Sequence, residues 1–313
     1  MLAFGPIPSR RLGRSLGINN IPPKVCTYSC VYCQLGQTSR MPTDRQEFYR
    51  PKEILKNIHR KVEMARKKDE SIDYLTFVPD GEPTLDIHLG HEIDFLNQKN
   101  LGVKTAVITN TSLIWRSDVR EDLMKADLVS LKIDSTREKI WKRINRPNPN
   151  LGLTSILDGA KYFAQNFGGK LITETMLVNG VNDSEDHMAE VSDFIANLKP
   201  SKAYLSIPIR PPAERWVKSP GEEKINRIYQ ILKNKVKNVE YLIGYEGNAF
   251  VFTGDVKEDL LSITSVHPMR EDAVREFLKR GKTKWSVVQK MIEQDELKET
   301  EYDGKKFYMR KII

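Results

Sequence analysis

Three cysteines stand within eight residues, Cys26, Cys30 and Cys33, in a chain of 313 residues that has no others. Three thiols are too few, and odd in number, for a disulfide framework. Spacings of four and three would line one helix face and make a core stripe. Pro22 and Pro23 ahead of the window, and Thr27, Tyr28, Ser29 and Tyr32 inside it, make a poor helical start. A structural zinc site asks for four ligands, and the nearest histidines, His59, His88 and His91, lack the short paired spacing of zinc motifs. Thiolates select soft metals and iron–sulfur clusters. Three of them on a four-iron four-sulfur cluster leave one iron open, and an open iron is there to bind something, so the site is read as catalytic.

Such a site needs a scaffold. Strand-like runs at 72–78, 103–109, 128–133, 171–178 and 202–207 alternate with helical patterns at 89–98, 118–125, 153–167 and 184–198. Residues 15–20 supply an earlier strand and 239–243 a later one. This alternation predicts right-handed βαβ units and a parallel sheet. About six units are fewer than the eight of a closed barrel, so the expected fold is α/β, a partial (β/α)6-type open barrel with function at the C-terminal strand ends. Ser130, Lys132 and Asp134 alternate along one strand and are expected to point one way. Three inward polar residues are odd for a buried core and ordinary for a site.

The pattern changes after residue 257. Pro268 is expected to open a helix reaching Lys279, with Ala273, Val274, Phe277 and Leu278 apolar and Gly281 as its stop. Thr283 is expected to cap a second helix, and 297–302 and 305–310 flank Asp303-Gly304, a two-residue hairpin turn. Helix, short turn, helix and hairpin follow the order of a winged helix. The expected division is a barrel over 1–254 and a winged-helix-like domain over 255–313.

The run Cys26-Thr27-Tyr28-Ser29-Cys30-Val31-Tyr32-Cys33, with an aromatic before the last cysteine, resembles the signature of the radical S-adenosylmethionine (SAM) enzymes. The resemblance covers about residues 5–250. It implies that Cys26, Cys30 and Cys33 hold a 4Fe-4S cluster and that the open iron chelates SAM. Reductive cleavage of SAM then yields a 5'-deoxyadenosyl radical that abstracts hydrogen. Asp80-Gly81-Glu82-Pro83-Thr84 is similar to the family's Gly-Gly-Glu segment, which receives the SAM amino group, with Asp80 in place of the first glycine. By the same resemblance Tyr32, Gly81, Glu82, Asn110, Ser130, Lys132 and Asp134 belong to the cofactor site. Val178-Asn179-Gly180 resembles the loop that touches adenine, and Ile207-Pro208-Ile209-Arg210 the last-strand contact. Residues 5–17 and Cys33-Gln34-Leu35-Gly36 look like a short branch grouped with wyosine tRNA-modifying synthases. Those synthases carry extra cysteines for a second cluster; this chain has none to spare, so their substrate does not transfer.

Charge bears on the substrate. Residues 1–68 hold 14 Lys/Arg against 4 Asp/Glu, whereas 255–313 hold 13 against 12. The expectation is an anionic partner, tRNA or another, docked on the first segment through Arg10, Arg11 and Arg14, with the lysine-rich helix over 52–68 a solvated face. Radical chemistry on a peptide, protein or small molecule stands as the alternative. An iron–sulfur transcriptional sensor has no use for Glu82, Lys132 and Asp134. The electron is expected from a flavodoxin or ferredoxin. No run approaches the roughly 18 apolar residues of a membrane span, and the apolar start breaks at Gly5-Pro6, so the expected location is cytoplasmic, with no membrane partner.

Overall fold

The computed structural model describes residues 2–99, 101–242, 255–266 and 268–311. Its main sheet has eight strands in sequence order: β1 (Ala3–Ser9), β2 (Gly13–Ile18), β3 (Tyr74–Phe77), β4 (Lys104–Thr109), β5 (Leu128–Lys132), β6 (Lys170–Met176), β7 (Lys202–Ser206) and β8 (Val239–Leu242). Strand β1 is antiparallel to β2, and every later pairing is parallel. The six parallel steps are crossed by α1 (Pro51–Lys67), α2 (Leu89–Gln98), α3 (Ser117–Leu123), α4 (Glu138–Asn145) with α5 (Leu153–Asn166), α6 (Glu185–Leu198) and α7 (Glu222–Lys233). This is the expected partial barrel, a curled sheet left open between β1 and β8. Expected residue Ile243 and the stretch reaching the domain boundary at 254 lie outside the described residues.

Period-2 alternation divides each strand between two environments. The outward positions, such as Val107, Val129, Leu131, Ala203 and Leu205, are buried against Ile54, Ile58 and Val62 of α1 and the other helices. The inward positions Ala106, Leu128, Ile172, Tyr204 and Leu242 form a separate apolar layer, closed from the β1–β2 turn by Leu12. One pleat further along, the inward residues become Ser130, Lys132, Glu174 and Ser206. The bottom of the half-barrel is packed, and its polar chemistry is confined to the C-terminal strand ends.

The sequence reading missed β1, which carries Pro6 and Pro8. On this edge strand a missing donor costs no ladder bond. It also missed α4 and α7. The C-terminal elements are α8 (Val256–Val266), β9 (Met269–Arg270), α9 (Glu271–Arg280), α10 (Ser286–Glu293), β10 (Leu297–Tyr302) and β11 (Lys305–Arg310). The expected hairpin is present, with Asp303 and Gly304 both at positive φ, as a two-residue turn of this hand requires. Two expectations are corrected. Pro268 does not open the helix, because Met269 and Arg270 first pair with Tyr308 and Phe307. Thr283 does not cap α10: its hydroxyl donates to the Gly281 carbonyl, and Trp285 occupies the cap position. This unit has its own core of Leu260, Phe277, Leu278, Met291, Leu297 and Tyr308, against which Ile7 of β1 packs. Among the described residues no helix is long and apolar enough to cross a membrane.

One core position is chemically out of place. Glu92 of α2 is fully buried, and neither carboxylate oxygen has a hydrogen-bond partner. Burial, with Asp86 nearby, pushes its carboxyl up to about 9 from the ordinary 4.5. The folded chain therefore holds a proton that the open chain releases, and stability falls as pH rises through that window. Glu92→Gln should raise the melting temperature above pH 7 and flatten its decline between pH 5 and 9, measured by thermal denaturation across that range.

Candidate functional site

The cysteines lie on the long connection between β2 and α1, and this segment is held by docking. The Lys24 N–H donates to the Asp80 carbonyl (2.7 Å) and the Glu82 N–H to the Val25 carbonyl (3.2 Å), tying Cys26 to the end of β3. Ser29 N–H reaches the Asn145 carbonyl (3.1 Å) and Val31 N–H the Ile144 carbonyl (3.0 Å), tying Cys30 to the end of α4. The Trp141 indole donates to the Tyr28 hydroxyl (3.1 Å) from beneath. Gly81 is required by this closeness: a Cβ there would stand 1.9 Å from the Val25 carbonyl oxygen.

All three thiols are free and half-buried. Burial pushes the pKa of each thiol up, Cys30 to about 12, with the carboxylates Glu82, Asp134 and Asp80 adding to the rise at Cys26, Cys30 and Cys33 respectively. Thiolates here need a bound cation to balance them. Two carboxamides already donate towards sulfur, Asn110 Nδ2 to Cys26 Sγ (3.3 Å) and Asn145 Nδ2 to Cys30 Sγ (3.4 Å). Among the described residues no three His, Cys, Asp or Glu side chains form a group able to hold a single ion. Three separated, enclosed thiols with amide donors fit a cluster of several irons better than one shared metal ion.

The other expected site residues divide into walls and lining. Glu82 is fully enclosed; its oxygens accept from Thr84 N–H (3.1 Å) and hydroxyl (2.6 Å), Thr109 hydroxyl (2.6 Å) and Asn110 N–H (2.7 Å). Asn110 also donates to the Thr27 hydroxyl (2.8 Å), so Glu82 orients the residue that touches Cys26. Asp134 accepts from the Tyr32 hydroxyl, from Asn145 Nδ2 (2.8 Å) and from Met176 N–H (2.8 Å). The strand ends at Lys132, so alternation no longer governs Asp134, and it clamps the cysteine segment instead of lining the cavity with Ser130 and Lys132. Val178 is buried with Val31 and Ile144 behind the same segment.

Ser130 and Lys132 face a cavity of about 270 Å³ together with Tyr32, Cys33, Glu174 and Arg11. Ile207–Arg210 completes its rim. Arg11 pairs with Glu174, which also accepts from Lys132 Nζ (3.0 Å) and the Ser206 hydroxyl (3.0 Å). Burial alone would raise Glu174, but the two cations overcome it and hold the carboxyl down to about 2. Lys132 is raised despite its burial by Glu174 and Asp134, and stays charged. Arg11, expected on a docking surface, instead lines the cavity, half-buried against Glu174. Arg14 is also engaged, its N–H with Asp73 (2.7 Å) and its guanidinium 3.8 Å from Glu70. Asn145 and Glu174 were missed in the sequence. Their signals were faint: a helix stop before Arg146-Pro147, and one acid in an apolar and threonine-rich strand.

A protein-family model described as the radical SAM superfamily matches residues 20–191. The UPF0026 protein MJ1312 of Methanocaldococcus jannaschii is 48% identical over 317 residues, which cover 99% of this chain and 96% of that protein. A radical SAM methyltransferase from Sphaerobacter thermophilus shares the fold with a TM-score of 0.56 at 16% identity, over 73% of this chain and 66% of that one. TYW1 with a lysine-pyruvate adduct bound matches with a TM-score of 0.52 at 16% identity, over 71% of this chain and 74% of that one. At such identities these two structures speak for the fold alone.

The docking of the cysteine segment predicts that Gly81→Ala will cost about 1–3 kcal/mol, because a Cβ must force two backbones apart. Gly168→Ala, where a Cβ meets nothing within 4 Å, should change stability by less than about 0.5 kcal/mol. Denaturant unfolding of the two variants checks the contrast.

Proposed function

Because this chain belongs to the radical SAM superfamily, whose enzymes use a 4Fe-4S cluster and SAM, we propose that Cys26, Cys30 and Cys33 hold the cluster and that the adjoining cavity receives SAM and substrate. The observation that carries this reading is the set of three free, half-buried thiols, two of them facing amide donors and the third, Cys33, lining a cavity with a surplus of cations at the strand ends. When bound, cluster and SAM supply hydrogen-atom abstraction, driven by one electron from a flavodoxin or ferredoxin.

The chain's own residues bind, orient and exclude water. Ser130 and Lys132 are the proposed contacts for SAM within the cavity, Lys132 as a permanent cation suited to a carboxylate. Gly81 lets the segment 80–82 approach the cysteines. Glu82 fixes Asn110, and Asn110 and Asn145 donate to sulfur, which offsets the negative charge of thiolates in a buried site. Tyr32 and Asp134 lock the segment at its far end. With Arg11, Lys132 and Arg210 against Glu174, the lining carries more positive than negative charge, which supports an anionic substrate or substrate group. Assignment to tRNA modification, and of the C-terminal unit to a winged-helix domain over 255–313, belongs to this proposal. The grouping with wyosine synthases rests on likeness of fold.

Anaerobically reconstituted protein given a chemical reductant should convert SAM to 5'-deoxyadenosine and methionine, followed by liquid chromatography. The triple variant Cys26→Ala, Cys30→Ala, Cys33→Ala should lose both the iron and the cleavage; cleavage retained in it would overturn the assignment.

A further inference from the structure

Outside the barrel cavity a cleft of about 690 Å³ opens between the β10–β11 hairpin and the segment that follows Cys33. Three distant parts of the chain meet there: Lys24, Gln34 and Leu35 from the cysteine segment, Pro211, Pro212 and Arg215 from the loop after β7, and Lys298, Thr300, Glu301 and Tyr302 with Met309 to Lys311 from the hairpin. The lining has five cations, Lys24, Arg215, Lys298, Arg310 and Lys311, against the single carboxylate of Glu301. Lys311 pairs with Asp295, and Arg310 lies close enough to Asp80 to act on its carboxyl. The side chains of Lys24, Arg215 and Lys298 make no ion pair or hydrogen bond among the described residues. Cations without an ion pair among the described residues, gathered from three chain segments, form a surface suited to an anion supplied from outside, although Lys24 also bears on the Cys33 thiol.

The cations do not stand alone. Lys298, Thr300 and Tyr302 alternate on β10 and so share a face. Between the charges the cleft offers the flat or apolar surfaces of Tyr302, Pro211, Pro212 and Met309. Trp216, next to Arg215 in the chain, is 45% exposed. Positive charge interleaved with aromatic and apolar faces suits a chain of phosphates and bases, whereas an acidic peptide uses the charges and leaves the faces idle. The cleft also leads inward. Gln34, next to Cys33, lines both the cleft and the barrel cavity, and its side-chain carbonyl accepts from the Arg210 guanidinium (2.8 Å).

We infer that this cleft is the docking groove for a single-stranded stretch of nucleic acid, which presents a base to the cavity past the Gln34–Arg210 pair. The inference rests on the proposed function and deepens it by naming the substrate class and where it binds. It relocates the basic surface expected on the first segment: of that segment's cations only Lys24 belongs to it, and the hairpin supplies the opposite wall.

The test measures binding of a fluorescently labelled single-stranded oligouridylate by anisotropy over a salt series, with SAM and reductant left out. Wild-type affinity should fall steeply with salt, and Arg215→Gln with Lys298→Gln should reduce the log–log slope by about 1.4 units, at about 0.7 per lost phosphate contact on a single strand. Lys284→Gln with Lys290→Gln removes as much charge from α10 and the turn before it, and should leave the slope within about 0.3 units. Each cleft substitution is also made singly, so a double variant that misfolds leaves the comparison intact. The inference is overturned if wild-type protein shows no salt-dependent binding, if the α10 pair lowers the slope equally, or if polyglutamate displaces the oligonucleotide at equal charge concentration. Because binding is read without SAM, its failure is distinct from a failure of SAM cleavage, which would overturn the proposed function and leave the groove standing.

Discussion

Everything at this site depends on the docking of an irregular segment, roughly residues 24–36, onto the ends of β3 and α4. Such a segment has no ladder of its own, and buried peptide groups must find partners. It finds them at the carbonyls of Asp80, Ile144 and Asn145, and lends its own Val25 carbonyl to Glu82. The close approach at Gly81 and the buried carboxylates Glu82 and Asp134 follow from this. Each carboxylate gathers donors from two or more parts of the chain, so the position of each cysteine is set by groups far away in sequence. A buried network of this kind stabilises only when every member is satisfied, and both oxygens of Glu82 and of Asp134 accept at least one hydrogen bond.

The half-barrel contributes a gradient along its inner face. Ala106, Leu128, Ile172 and Tyr204 pack its lower layer, and Ser130, Lys132, Glu174 and Ser206 make the upper one. A buried ion cluster such as Arg11, Glu174 and Lys132 gives little net stability, because desolvation of three charges offsets most of their attraction. Its value is positional. Arg11 reaches in from the β1–β2 turn, closes one side of the open barrel, and leaves a surplus positive charge over the cavity.

Charge illustrates how folding redistributes what a count lumps together. The excess over residues 1–68 does not become one surface. Arg11 turns inward, Lys52, Arg60 and Lys67 lie on the exposed face of α1, and Lys24 stands at the mouth of the cleft. The hairpin unit is nearly neutral by count, yet its β10 and β11 set Lys298 and Arg310 on the cleft wall. Net charge says how much an element repels or attracts at long range, whereas a binding wall depends on which side chains share a face.

By itself the sequence determined the features that are local or periodic. The cysteine spacing, the strand–helix alternation and the Asp303-Gly304 turn each write their physics into neighbouring residues, and the parallel half-barrel and the hairpin were legible from them. The resemblance pointed to Gly81, Glu82 and Asn110, which the fold brings up to the cysteine segment. Only the tertiary structure decided what each does, since Glu82 acts through Thr109 and Asn110, and Asp134 through Tyr32 and Asn145. It alone revealed Asn145, Glu174 and the inward turn of Arg11, because their partners lie far apart along the chain, 163 residues for Arg11 and Glu174. No window of sequence holds such a pairing. The edge strand β1 was hidden for a related reason, since a proline forbids a ladder bond only where a neighbour strand asks for one, and that neighbour is known only after folding.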